Sequence, residues 1–258
     1  MIKIFDLGSF NLIPLEEFLI YKGYKNEEIH AYCYEPNSNQ HIHYKINSLV
    51  EYFKKEYLNL SLTISRDAIY TKMGVMNYIE HFPMQNWKFH PLTGKDWWYH
   101  PDDIHPASDC SYISSPIIQS VVNTVDFNTI LEDNVEENDE VYIRMDIEGC
   151  EYNVLAQLLE NEELCKKVKE IYIEWHHFYW KKGSINDSKR VYSYAGAENI
   201  LSENVNYDLR KNLKKLFCKQ LQQYDIEVKD LVKTEGFDPN DDVVRKEIVE
   251  RRNKFLEK

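Results

Sequence analysis

Apolar residues along this chain fall into two rhythms. Short, nearly continuous runs of aromatic and β-branched residues alternate with stretches in which apolar positions recur every third or fourth residue. The first rhythm belongs to strands buried on both faces, the second to amphipathic helices. KIFDLG (3–8) is a short strand ending in Asp and Gly, and PLEEFLIYK (14–22) is a helix with a proline suited to its first turn and Gly23 to stop it. EIHAYCYEPN (28–37) is a second strand and SLVEYFKKEY (48–57) a second helix; LSLTISRDAIY (60–70) is a third strand and VMNYIEH (75–81) a smaller fourth. NTVDFNTILED (123–133) reads as a turn into a helix. EVYIRMD (140–146) and KEIYIEWHH (169–177) are strands flanking the helix EYNVLAQLLENEEL (151–164). YDLRKNLKKLFCKQLQQY (207–224) has helical spacing, IEVKDLV (226–232) is a strand, and a charged helix closes the chain at about 243–258. The Lys, Arg and Glu of that last helix stand three and four residues apart, as solvated surface pairs would.

Strands alternating with helices predict a parallel α/β sheet, in which ligands gather outside the carboxyl ends of the strands. The predicted strand ends carry Asp6, Glu35, Asp67, Asp146 with Glu148, and Glu174 with His176. Singly, each is explained as a cap or a solvated charge. Acids at successive strand ends, in order, predict a common site.

Residues 82–115 break the rhythm and read as a long insertion, rich in Pro, Trp, His and Asp, within one domain spanning 1–258. Trp97, Trp98 and Tyr99 offer ring faces that stack on sugar C–H faces, which makes a carbohydrate or other small-molecule acceptor reasonable. The plainer alternative is a lid whose aromatics pack over the sheet.

With 43% hydrophobic residues, 14% aromatics and 19 tyrosines, the chain has the material for a sizeable core. A formal charge of −12 disfavours non-specific nucleic-acid binding. The cysteines at 33, 110, 150, 165 and 218 form no C-x-x-C pair, which suits free thiols in a reducing cytoplasm. The first residues lack a signal-peptide pattern, and no apolar run approaches the roughly 20 residues that span a bilayer, so no membrane partner is expected.

The first loop narrows the ligand. After Gly8 come Ser9, Phe10 and Asn11, with no second glycine, and neither G-x-G-x-x-G nor a P-loop occurs. Such a loop suits a ligand without phosphates, such as S-adenosylmethionine, with Asp6, Gly8, Ser9 and Asn11 around it. Glu35 could accept from both ribose hydroxyls, and Asp67 from an adenine amino group.

IFDLGS, YCYEPN, RDAIY, YIRMDIEGCEYNVL and IYIEWH, in that order over roughly residues 3–177, resemble the FkbM-like branch of S-adenosylmethionine-dependent methyltransferases. D-I-E-G-x-E-x-x-V-L is the most specific part. The resemblance implies a doubly wound, Rossmann-like sheet of seven strands, mostly parallel with an antiparallel last strand. It implies methyl transfer to an oxygen, often a hydroxyl of a sugar or natural product. It puts Asp6, Gly8 and Glu35 in the cofactor site and Asp146, Glu148 and Glu151 in the acidic signature. The G-S-F-N loop and the aromatic insertion depart from the family's pattern.

Transfer to a hydroxyl requires alignment and a proton acceptor. Asp146, Glu148 and His176 are the catalytic candidates, whereas a first-turn position lets capping explain Glu151. Glu174 and His176 share one strand face and should converge with Asp146, a donor set that suits magnesium or manganese. His177, on the opposite face, is placed with the acceptor. The expectation is a cytoplasmic O-methyltransferase acting on a sugar, a nucleotide-sugar or glycan precursor, or a related small molecule, with homodimerisation left open. A non-catalytic scaffold on the same fold is the alternative, and cofactor affinity separates the two. A nicotinamide oxidoreductase is disfavoured by the missing glycines.

Overall fold

The computed structural model describes residues 1–9, 12–36, 46–81, 117–147, 150–175, 207–231 and 242–256. In chain order the elements are β1 (Ile2–Leu7), α1 (Ile13–Lys22), β2 (Ile29–Tyr34), α2 (Ile46–Glu56), β3 (Leu60–Ser65), β4 (Ala68–Tyr70), β5 (Gly74–His81) and β6 (Ile117–Asp126). There follow α3 (Phe127–Asn134), β7 (Glu140–Met145), α4 (Glu151–Leu159), α5 (Glu162–Cys165), β8 (Val168–Ile173), α6 (Tyr207–Leu221), a 3-10 turn (Gln222–Tyr224), β9 (Glu227–Asp230) and α7 (Asp242–Leu256).

Six strands form one sheet in the order β3-β2-β1-β7-β8-β9, and every neighbouring pair is parallel. From β1 the chain winds outward through β2 and β3, then returns to the other side of β1 for β7, β8 and β9. The direction of winding therefore reverses between β1 and β7, and such a reversal opens a crevice at the strand carboxyl ends. Ile4, Ala31, Cys33, Tyr142 and Tyr172 pack on one face with α1 and α2; Phe5, Leu7, Ile143, Met145, Ile171 and Ile173 pack on the other with α3, α4 and α6. Burial on both faces is why these strands read as continuous apolar runs.

The described part of the sheet ends at β9. β9 follows the α6 crossover from β8 and pairs with it in parallel, as a β-α-β unit dictates. No antiparallel or seventh strand of this sheet occurs among the described residues. The stretch 60–70 is two strands rather than one. Ser65 Oγ donates to Asp67 Oδ2 at 2.7 Å and accepts from the Asp67 N–H at 3.1 Å, and this local bonding ends the ladder. β4 then joins β6 and β5 in a separate three-stranded sheet. Residues 123–126, expected as a turn, complete β6, and Asp126 caps α3 by accepting from the Thr129 N–H at 3.0 Å. The helix expected over 151–164 breaks where Asn161 caps a new turn through the Leu164 N–H.

The C-terminal helix corrects a second expectation, that its charges are solvated pairs. Arg245, Ile248, Val249 and Arg252 share one face of α7, and that face lies on α1. Arg245 Nε meets Glu17 at 2.7 Å, while Arg251 and Arg252 reach Glu16 at 2.9 and 2.8 Å. Glu16 is fully buried and Arg252 is 4% exposed. The charges are spaced as on a solvated face because they complement a second charged stripe, Glu16 and Glu17 of α1.

Buried charge also braces the opposite end of α1. Glu170 on β8 accepts from Lys22 at 2.8 and 2.9 Å and from Lys229 at 2.8 Å, with the Tyr172 hydroxyl donating to the same carboxylate. Burial alone would raise this carboxyl, but those donors hold it at about 2, below its ordinary 4.5. Unfolding returns the group to its ordinary value. The stabilisation is therefore complete above about pH 4.5 and is lost as pH falls through about 2. Glu170→Gln is expected to lower the unfolding free energy by about 2–3 kcal/mol at pH 7. In urea denaturation the gap from wild type should narrow toward pH 3, about midway down that window; a gap independent of pH would contradict this account.

Candidate active site

The β1–α1 turn is set by Gly8. Its φ is +80°, and its N–H donates to the Tyr34 carbonyl at 2.9 Å. A Cβ there would lie 1.8 Å from the Asp146 carbonyl oxygen, so only glycine lets the ends of β1 and β7 approach this closely. The Asp146 N–H closes the same junction on the Leu7 carbonyl at 2.9 Å. Ser9 is buried, with its N–H on the Tyr34 carbonyl at 3.1 Å and its hydroxyl donating to the Asp6 carbonyl at 2.6 Å. Its hydroxyl thus braces the turn from within.

Asp6 is fully buried behind this loop. It stands in register with Arg144 of β7 and accepts from that guanidinium at 2.7 Å. Arg144 also donates to the Gly8 carbonyl at 3.3 Å and to Asp146 Oδ2 at 3.4 Å. Burial pushes the Asp6 carboxyl above its ordinary value, with the guanidinium pulling the other way. Burial opposes the charge on Arg144 too, yet the two carboxylates beside it keep the guanidinium protonated. Cys33, opposite Asp6 on β2, has its thiol pushed well up by burial and by the Asp6 charge, which makes it a core residue and not a nucleophile.

The other strand ends complete a rim. Glu35 follows β2, is 6% exposed, and ties back through its N–H to the Ser65 carbonyl at 3.0 Å. Asp67 lies two residues beyond β3. Glu174 follows β8, with its N–H on the Met145 carbonyl at 2.9 Å, and the register that pairs Arg144 with Tyr172 puts it beside Asp146 on the same face. Asp67, Glu35, Gly8, Asp146 and Glu174 therefore stand at the carboxyl ends of five adjacent strands, β3-β2-β1-β7-β8. Glu151, in the first turn of α4, accepts from the Ile147 N–H at 3.1 Å; the helix itself has no side-chain cap at Cys150.

Among the described residues no group of three or more His, Cys, Asp or Glu is placed to hold a metal ion. Asp146 and Glu174 are neighbours, but His176, the third expected ligand, lies outside the described residues, as do Asn11, Glu148, Trp97, Trp98, Tyr99 and His177. Sequence reasoning missed two residues. Arg144 was visible as a charge inside an apolar strand, two positions before Asp146, where only a buried partner could neutralise it. Trp175 is 5% exposed, packs on Tyr152 with centroids 5.5 Å apart and lies under Lys214 Nζ at 5.3 Å; nothing in its local pattern marked that.

A family model described as the methyltransferase FkbM domain matches residues 15–209. Comparison with curated proteins and with solved structures brought no match.

Arg144→Met is expected to cost about 3–5 kcal/mol, because it strands the buried Asp6 carboxylate without its cation. Adding Asp6→Leu should recover a large part of that loss. Urea denaturation of the two singles and the double measures the coupling, and additive losses would mean that the pair does not brace the crevice.

Proposed function

The chain belongs to the FkbM methyltransferase family, and from that premise we propose that it transfers a methyl group from S-adenosylmethionine to a hydroxyl oxygen of a sugar, a nucleotide-sugar or glycan precursor, or a related small molecule. The observation that carries the reading is the crevice where the winding reverses. There Gly8 meets the β7 backbone without a Cβ, and the buried Glu35 stands one strand away. These residues fit the cofactor. Gly8 lets the ends of β1 and β7 close up beneath the crevice, Glu35 can accept from two ribose hydroxyls, and Asp67 at the next strand end can accept from the adenine amino group.

When bound, S-adenosylmethionine supplies a methyl group activated by its sulfonium. The chain's own task is to align an acceptor hydroxyl and take its proton. Asp146 is our choice for proton acceptor, because it ends the strand beside the crevice and Arg144 orients its carboxylate. Glu148 and His176 are assigned to the same chemistry from their places in the sequence, and Trp97, Trp98, Tyr99 and His177 to the acceptor. Asp146 and Glu174 alone do not make a metal site, so no step is routed through an ion. The described cysteines, Cys33, Cys150, Cys165 and Cys218, are free thiols. No helix among the described residues is long and apolar enough to cross a membrane.

Titration calorimetry with S-adenosylhomocysteine is the direct test. Wild type should bind, and Glu35→Gln should bind at least about tenfold more weakly, through loss of charge-assisted hydrogen bonds. Asp146→Asn should keep that affinity and lose about 100-fold or more in methyl transfer from labelled donor to a panel of sugars and sugar nucleotides. A wild-type protein that does not bind S-adenosylhomocysteine would sink the proposal. Full activity of the dialysed enzyme in excess chelator would remove the metal from consideration.

A further inference from the structure

The segment matched by the family stops at residue 209, yet α7, at Asp242–Leu256, reaches back to the loop that the proposed cofactor would occupy. Arg252 makes its polar contact with that loop. Arg252 Nε donates to Glu16 Oε2 at 2.8 Å, and Arg252 Nη2 donates to the Leu12 carbonyl at 2.8 Å. The guanidinium also lies 5.6 Å from the Tyr52 ring centre and 5.2 Å from that of Phe53, so α2 packs against it as well.

Leu12 is the residue through which the β1–α1 loop becomes a helix, and its conformation is unusual. It has φ +61° and ψ 5°, the left-handed region that a leucine enters only at a cost, and its side chain makes no capping bond. Its N–H is held by the Ser9 carbonyl at 2.9 Å, and its carbonyl takes the Glu16 N–H at 3.2 Å. A strained peptide persists where its surroundings over-determine it. Arg252 supplies that determination. It fixes the orientation of the Leu12 carbonyl and pins the carboxylate of Glu16, one helical turn on, which also accepts from Tyr52 and Arg251.

We propose that Arg252 is a positioning residue for the cofactor: by spanning Leu12 and Glu16 it fixes the Leu12 peptide at the point where the β1–α1 connection enters the helix, so that α7 serves as a clasp on the methyl-donor site. This rests on the function proposed above for that site. The bond is geometric as well as electrostatic. A lysine can keep the charge beside Glu16, but a single ammonium lacks the fork that bonds the carboxylate and the carbonyl together.

Three variants test it. Arg252→Lys should bind S-adenosylhomocysteine about tenfold more weakly than wild type. Without any ligand, it should also speed hydrogen exchange at the amides of Gly8, Ser9 and Leu12. Arg245→Gln breaks an ion pair on the same helix that does not touch the loop, so it should loosen α7 yet leave affinity and loop exchange as in wild type. If Arg252→Lys does not fold, Arg252→Met carries the same two readouts, because it keeps an apolar stem against Tyr52 and Phe53 and leaves Glu16 to Arg251. Wild-type affinity and loop exchange in the Arg252 variant would overturn the inference, and so would an equal loss in Arg245→Gln, which would reduce α7 to general stabilisation. Should wild type itself fail to bind S-adenosylhomocysteine, the proposed function falls, and the exchange measurement still decides whether Arg252 orders the loop.

Discussion

Arg144 stands inside a parallel sheet with carboxylates on two sides, and the geometry of the crevice follows from how that charge is neutralised. Its partners Asp6 and Asp146 come from β1 and β7, the strands between which the winding reverses. A buried guanidinium must have its carboxylates, and a buried carboxylate its guanidinium, or each would carry a desolvation penalty of several kcal/mol. The two strands are therefore locked in the register that brings Gly8 against the Asp146 carbonyl. A side chain at position 8 would force them apart and move both Asp146 and the loop. Sheet register, loop shape and rim thus depend on one side chain and on the absence of another.

Much of this architecture was legible because strands buried on both faces announce themselves as apolar runs, and glycines and prolines punctuate them. β1, β2, β7 and β8, and the helices α1, α2, α6 and α7, were read within a few residues of their observed bounds. Glu35, Asp67, Asp146 and Glu174 were also read as strand-end acids, and the sheet order sets their strands on either side of β1, while Asp6 lies buried within β1 itself. What could not be read was pairing. Asp6 and Arg144 are 138 residues apart, and no local pattern shows which strand lies beside which. The small β4-β6-β5 sheet escaped for the same reason: Ala68–Tyr70 continues the apolar run of β3, and only the Ser65–Asp67 bonding diverts it. α7 shows a different limit. A face of arginines meant for water and one meant for buried glutamates have the same spacing, and only the neighbour distinguishes them.

The buried ions divide the labour around α1. At its C-terminal end Lys22 joins Glu170 and Lys229, well away from the crevice, and fastens the helix to β8 and β9. In its first turns Glu16 and Glu17 take the arginines of α7. Both groups are costly to bury and costly to break, so they contribute definition of position more than net stability. A helix held at both ends by pairs of this kind cannot slide or rotate without stranding a charge. That constraint matters most where the helix meets a loop meant to receive a ligand.

Two arginines treat that loop in the same way from different directions. Arg144, from beneath, spans the Asp6 carboxylate and the Gly8 carbonyl; Arg252, from the side, spans the Glu16 carboxylate and the Leu12 carbonyl. In each case the carboxylate satisfies the charge, so the cation does not need a ligand to be stable. Arg252 turns its second arm, Nη2, to the Leu12 carbonyl, whereas in Arg144 the nitrogen that meets Asp6, Nη1, also meets the Gly8 carbonyl, and Nη2 turns to Asp146. Each arginine acts on a loop residue with positive φ, where the chain has the most to gain from being held. A loop ordered in this way before anything binds does not lose that conformational freedom on binding, so more of the contact energy appears as affinity. The anchors fall on both sides of the turn: Gly8 makes the close approach to β7 at one end, and Leu12 is held at the other.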